Sequence, residues 1–158
     1  MNKNETTILG RKSKTPANMT REDVLAMFRR RQAAWEAHDA AALAADYADD
    51  AVIESPMAGV HRGRAAAEKA LRAFFKAFGD VKFTTDDIYV DGNRVAHIVR
   101  NEGTHVGELL GLPPTGKSFH LKAVLLHELE GAKIVRERRI YDFTGLLMQI
   151  GVLKAKPI

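Results

Sequence analysis

The spacing of apolar residues changes once along this chain, and that change constrains the fold more than any other feature. Up to Phe78 the apolar side chains recur every three or four residues; from Val81 onward they alternate. The first pattern belongs to helices lying on a core, the second to half-buried strands. Helices come first, and the strands that follow have no helix between them. This order excludes a purely parallel α/β fold and predicts an α+β domain, a curved, mostly antiparallel sheet wrapped around helices.

Local signals place the elements. Thr20 and Asp23 form a capping box that opens a helix through TREDVLAMFRRRQAAWEAHD, because each residue satisfies a free backbone N–H of the other's turn. Val24, Phe28, Gln32 and Trp35 share its inner face, with Arg29, Arg30 and Arg31 mostly elsewhere. Asp39 caps a short helix over AALAADYA, and AVIES follows as a short strand broken at Pro56 and Gly59. A third helix, RAAAEKALRAFFKAF, carries Ala67, Leu71, Phe74 and Phe78 on one stripe and stops at Gly79. The strands are VKFTTDDIYV, RVAHIVRNEGTHVGEL, SFHLKAVLLHEL and KIVRERRIYD. Turns at Asp91-Gly92, Pro113 to Gly116 and Glu130-Gly131 join them. A closing helix spans Leu146 to Ile150, with Asp142 as its N-cap rather than a catalytic acid.

Composition narrows the function classes. A chain of 158 residues fits one domain. With no cysteine there is no disulfide framework, thiolate nucleophile or Cys-ligated metal. No apolar run approaches the ~18 residues of a membrane span, and the first residues lack the apolar core of a secretory signal; the expected location is cytoplasmic. Of the net charge of +4, residues 1–18 hold +3 through Lys3, Arg11, Lys12 and Lys14 against Glu5. The remainder is too weakly basic for a polyanion partner. Residues 1–19 therefore read as a flexible basic tail and residues 20–158 as the domain, with no nucleic-acid or membrane partner expected.

The order of elements resembles the cystatin-like cone of nuclear transport factor 2, ketosteroid isomerase and scytalone dehydratase. More specifically, GTHVGELLGLPPTGK, SFHLKAVLLHELEGAKIV and YDFTGLLMQIG resemble the SnoaL-like polyketide cyclase, or ester cyclase, family. Limonene epoxide hydrolases share the PTGKS turn and the layout of DAAALAADYADDAVIESP and HRGRAAAEKAL. The resemblance implies a deep, mostly apolar pocket between the helices and the concave sheet face. Alternation turns Phe119, Leu121, Ala123, Leu125 and His127 inward. Matching to the epoxide hydrolases turns Val135, Glu137, Arg139 and Tyr141 inward on the last strand, and Thr104, Val106 and Glu108 on the middle one. Gln32, Trp35, Ser55, Phe74 and Phe78 complete the expected substrate-binding set.

In this alignment Arg139 stands where the cyclases and epoxide hydrolases carry their catalytic Asp, and Leu125 where the cyclases carry a His. Val106 replaces the epoxide hydrolases' Arg, and Glu108 alone matches their second carboxylate. The expected catalytic set is thus Glu108 as a base raised by burial, Arg139 as oxyanion or carboxylate binder, and His127 as auxiliary acid. The competing arrangement is a Glu108–Arg139 salt bridge that holds the carboxylate ionised. The function expected is cofactor-free acid–base chemistry, namely cyclisation, isomerisation or dehydration, on a hydrophobic carbonyl compound or ester. A non-catalytic ligand-binding or dimerisation module ranks second and an epoxide hydrolase third.

No HExxH or facial-triad spacing joins the histidines, and no GxGxxG sits between a strand and a helix, so neither metal nor nucleotide cofactor is expected. His105, His120 and His97 fall on outward phases. Val95, Val99, Val124 and Leu126 leave the convex sheet face apolar, and a homodimer across that face is the expected partner arrangement.

Overall fold

The computed structural model describes residues 19–154, so residues 1–18 of the expected tail lie outside it. Helices α1 (Arg21–Glu36) and α2 (Ala40–Ala44) lead into strands β1 (Tyr47–Ser55) and β2 (Gly59–Arg62) and helix α3 (Arg64–Ala77). Strands β3 (Lys82–Asp91), β4 (Arg94–Thr104), β5 (Ser118–Glu130) and β6 (Lys133–Tyr141) follow, and α4 (Phe143–Gln149) closes the described chain. The strands form one sheet in the order β2-β1-β6-β5-β4-β3. All neighbours are antiparallel except β1 and β6, whose parallel pairing seats the N-terminal hairpin against the last strand. With the helices against the concave side of the curved sheet, this is the α+β cone that the order of elements predicted.

Helix α1 begins where the capping box said: Thr20 Oγ1 accepts from the Asp23 amide at 3.2 Å, and Asp23 accepts from the Thr20 amide at 2.9 Å. Its buried stripe is Val24, Met27, Phe28, Arg31 and Trp35. Arg31 is therefore not on an outer face. Its guanidinium donates to the Leu43 carbonyl at 2.9 Å and to Asp46 at 3.1 Å, and it lies over the Tyr47 ring. Arg30 also grips Asp46, at 2.7 and 3.2 Å. These bonds fix Asp46 beside α1, and the chain enters β1 at Tyr47 rather than extending α2 to residue 48. Pro56 and Gly59 do not end the sheet here. They lie at the turn of a β1–β2 hairpin in which Gly59 supplies the positive φ of 68°.

Register corrects the expected orientation of β4. Each inward residue of β5 faces a β4 partner on the same side: Phe119 faces Gly103, Leu121 Asn101, Ala123 Val99, Leu125 His97 and His127 Val95. Val95, His97 and Val99 are consequently buried in the cone, while Ala96 and Ile98 face outward. The strand also ends at Thr104, earlier than alternation suggested. His105 accepts from Gly116 and donates to Lys117 through its backbone, and Val106 and Gly107 both donate to the Ala77 carbonyl, so the chain folds against the end of α3. Only glycine fits at 107, where a Cβ would lie 2.1 Å from the Lys76 carbonyl oxygen. In β6 the bulge opposite Glu128 and Leu129 makes Val135 an extra residue. Ile134 and Glu137 then both reach the core, and Val135 leaves the inward set.

Candidate functional site

An apolar cavity of about 100 Å³ lies within the cone. Leu121, Ala123 and Leu125 of β5 and Arg139 and Tyr141 of β6 form its sheet side. Trp35 from α1 and Ala70, Leu71 and Phe74 from α3 face them, with Phe83 and Asn101 at one side and Phe119 and Leu146 beside these. The β1–β2 hairpin contributes Ser55, Met57, Ala58 and His61. Aromatic packing keeps the wall rigid: Trp35 stacks on Phe83 with ring centres 4.3 Å apart and meets Phe75 edge-on at 5.3 Å.

The expected substrate-binding residues Trp35, Ser55, Phe74, Leu121, Ala123, Leu125 and Tyr141 line this cavity, as does Arg139. Gln32 does not; its amide nitrogen donates to the Phe83 carbonyl at 2.7 Å and its oxygen accepts from Thr85, which uses it as a tie between α1 and β3. Phe78 is fully buried behind the cavity wall, against Phe119 and Phe74. Glu137 lies behind Arg139 and His127 beyond Glu137; neither lines the cavity.

Glu108 is placed quite differently from the expectation. It sits in the loop after β4, exposed, and makes no ion pair or side-chain hydrogen bond among the described residues. The phase that turned Thr104, Val106 and Glu108 inward fails because pairing with β5 puts Gly103 rather than Thr104 opposite the inward Phe119, and because β4 ends at Thr104, before Val106 and Glu108; Val106 is likewise exposed. No Glu108–Arg139 bridge forms. His105, expected outward, is fully buried next to Phe78, with its Nδ1 accepting from the Thr115 amide at 3.3 Å.

Arg139 has a different carboxylate, two residues earlier on the same strand face. Its Nε donates to Glu137 Oε1 at 2.5 Å, and the Tyr47 hydroxyl donates to Oε2 at 2.5 Å. His127 Nδ1 approaches Oε2 to 3.2 Å, close enough for attraction but poorly aligned for a hydrogen bond. Burial by itself raises the Glu137 pKa, yet Arg139, His127 and Arg31 outweigh it and hold the carboxyl well below its usual range. Burial also pushes Tyr47 up to about 12, reinforced by Glu137. The same burial lowers the Arg139 pKa, but Glu137 more than compensates and raises it. His127 is lowered chiefly by burial, against the pull of Glu137. This is an ionised Glu–Arg pair beside a neutral histidine, so Glu137 serves as the mount for Arg139 rather than as a base. A guanidinium carries five donors, more than these partners take up, and the Arg139 side chain stays 23% exposed.

Two polar residues of the cavity went unrecognised in the sequence. His61 Nε2 and Asn101 Oδ1 are buried with no hydrogen-bond partner among the described residues. Asn101 was missed because β4 was turned the wrong way, and His61 because its strand was read as a break. Tyr141, by contrast, is held in place: its hydroxyl meets Ser55 Oγ at 3.0 Å and accepts from the Met57 amide at 3.2 Å. Among the described residues no carboxylate lines the cavity, no cluster of His, Asp or Glu is arranged to hold a metal, and no helix is long and apolar enough to cross a membrane.

A cone of helices and curved sheet around a mostly apolar cavity is a scaffold shared by many small-molecule proteins, and sequence comparison narrows it to one group. The model of the SnoaL-like polyketide cyclases matches residues 26–150, and the chain belongs to that family. A nogalonic acid methyl ester cyclase of Streptomyces nogalater is 31% identical over 108 residues, covering 67% of this chain and 78% of that protein. Among solved structures, AclR of Streptomyces galilaeus superposes with a TM-score of 0.74 at 25% identity, over 87% of this chain and 91% of its own. IdmH of Streptomyces antibioticus gives 0.68 at 27% identity, over 80% and 97%.

Proposed function

We propose that this protein closes a ring within a hydrophobic carbonyl compound by acid–base chemistry, without a cofactor. Isomerisation or dehydration of such a compound proceeds through the same kind of enolate and belongs to the same reading. The observation that carries it is the guanidinium of Arg139, anchored through Nε to a buried, ionised Glu137 and bordering an apolar cavity. Donors held rigid in a site of low polarity stabilise an oxyanion as it develops, because they need no reorganisation when the charge appears. Family membership and the 31% identical cyclase support ring closure as the outcome.

The compound in that relative's name, nogalonic acid methyl ester, is the first substrate to try. The wild-type protein is expected to accelerate its ring closure. Arg139→Lys keeps a positive charge beside Glu137 but loses the planar fork, and is expected to lower kcat/KM by about 100-fold. Equal turnover in wild type and Arg139→Lys contradicts the role of Arg139. A second reading, a ligand-binding module without catalysis, is favoured by the absence of a carboxylate in the cavity wall among the described residues; tight binding of the ester with no acceleration over buffer would select it.

A further inference from the structure

His61 stands on β2, at one edge of the sheet, with its side chain in the cavity wall. It pairs with Ile53, which also pairs with Glu137 on β6, so one cross-strand row carries His61, Ile53 and Glu137 on the concave side. Two strand spacings separate β2 from β6, roughly 10 Å. Arg139, one row further along on β6, and His61 on β2 both line the cavity, with β1 between their strands. His61 Nε2 is shut away from solvent and has no hydrogen-bond partner among the described residues. A buried ring nitrogen left unpaired is unfavourable unless a ligand completes it.

Among the described residues, the lining side chains with acid–base chemistry are His61, Arg139 and Tyr141. Arg139 stays protonated, and the Tyr141 hydroxyl is held by Ser55 and the Met57 amide. An imidazole ring carries both an acceptor and a donor nitrogen, so it can take a proton and return it. We infer that His61, through Nε2, is the proton-transfer residue of this cavity, acting first as base and then as acid on a carbonyl substrate. This inference rests on the ring-closure reading. Neutral Nε2 takes the proton from a carbon next to the substrate carbonyl; the C–H electron pair becomes the C=C bond of an enolate, and the carbonyl π pair moves to its oxygen, beside Arg139. The enolate carbon then attacks a second carbonyl carbon of the same molecule. One C–C bond forms, the first C=O is restored, and the new alkoxide takes the proton back from Nε2. No atom is gained or lost, and no oxidant, reductant or water is consumed.

The test uses 2-naphthol, whose ionised oxygen resembles an enolate. Absorbance titration reads the bound ionisation state, and ¹⁵N NMR of the wild-type histidine rings reads the proton's destination. The expected result is bound naphtholate with the His61 nitrogens shifted to imidazolium positions. His61→Gln and Arg139→Lys each then weaken binding about tenfold, as for a lost hydrogen bond to a charged group. If binding depends on Arg139 while the His61 signals stay put and His61→Gln binds within about twofold, His61 is excluded and the ring-closure reading stands. Affinity indifferent to both substitutions, or no binding by the wild type, overturns both. Should His61→Gln not fold, the wild-type spectrum decides alone.

Discussion

Arg139 and Glu137 share a strand face, and their pairing changes what each can do. A lone buried carboxylate would be pushed toward its neutral form and serve as a base; one gripped by a guanidinium stays ionised and inert to protons. Arg139 lines the cavity as its place in the sequence implies, but its partner is Glu137 rather than Glu108. The true partner lies only two positions away, which the match to the epoxide hydrolases already allowed because it turned both residues inward. Asp46 plays the corresponding part for α1, accepting from Arg30 and Arg31 with 7% of its side chain exposed. Asp46→Asn leaves the Arg31 guanidinium buried without its countercharge, and is expected to destabilise the fold by about 3 kcal/mol. Urea unfolding measures this; a loss below about 0.5 kcal/mol would mean that Leu43 and the Tyr47 ring suffice for Arg31.

At the scale of elements, what alternation read well is the phase of a strand with one clearly apolar face. β5 is such a strand, and its inward residues were assigned correctly because Phe119, Leu121, Ala123 and Leu125 leave no doubt about the core side. β4 is apolar on both faces, with Val95 and Val99 against Ala96 and Ile98, so its orientation depends on pairing with β5 rather than on its own pattern. Bulges are invisible to a period of two; the extra residue at Val135 shifted one expected contact for that reason. The loop after β4 depends on Gly107, whose missing side chain admits the Lys76 carbonyl. Gly107→Ala must displace that backbone, with an expected cost of about 1–3 kcal/mol. Loss of amide protection at Val106 and residue 107, which donate to Ala77, should accompany it in hydrogen exchange. Unchanged stability and protection would show that the loop adapts freely.

For the whole molecule, His97, His127 and Glu137, all buried, shape the response to acid. His97 is held to about 3, first by burial and then by His127 and Arg31, and His127 is lowered as well. Both are neutral when folded, whereas an unfolded histidine takes up a proton near pH 6.5. Below that pH the unfolded chain binds more protons, so stability is complete above about 6.5 and falls as pH drops, by up to about 1.4 kcal/mol per pH unit for each histidine. Glu137, depressed in the folded state, adds a loss at still lower pH, below the ordinary glutamate value of 4.5. Urea midpoints are expected to decline from pH 7 to pH 5, and less steeply in His97→Gln; a flat profile would contradict the buried neutral pair.

We propose that two copies associate through the convex face, although Val95 and Val99, which the sequence pattern places there, face the core. The face instead carries Ile98, Val124 and Ile140 in one cross-strand row, and Tyr89, Ala96 and Leu126 in the next. Tyr89 is 60% and Ile140 57% exposed. Sedimentation is expected to give a dimer that Ile140→Lys dissociates; a wild-type monomer at the chain mass of 17.5 kDa would remove the proposal.

We propose that Arg139 holds a substrate oxyanion inside the apolar cavity. A crystal structure of the wild-type protein with 2-naphthol tests it most directly. The naphthol oxygen is predicted within hydrogen-bond distance of the Arg139 guanidinium, with its rings among Leu121, Leu125 and Phe83. A naphthol seated outside the cavity, or inside it with the oxygen turned away from Arg139, would contradict the account.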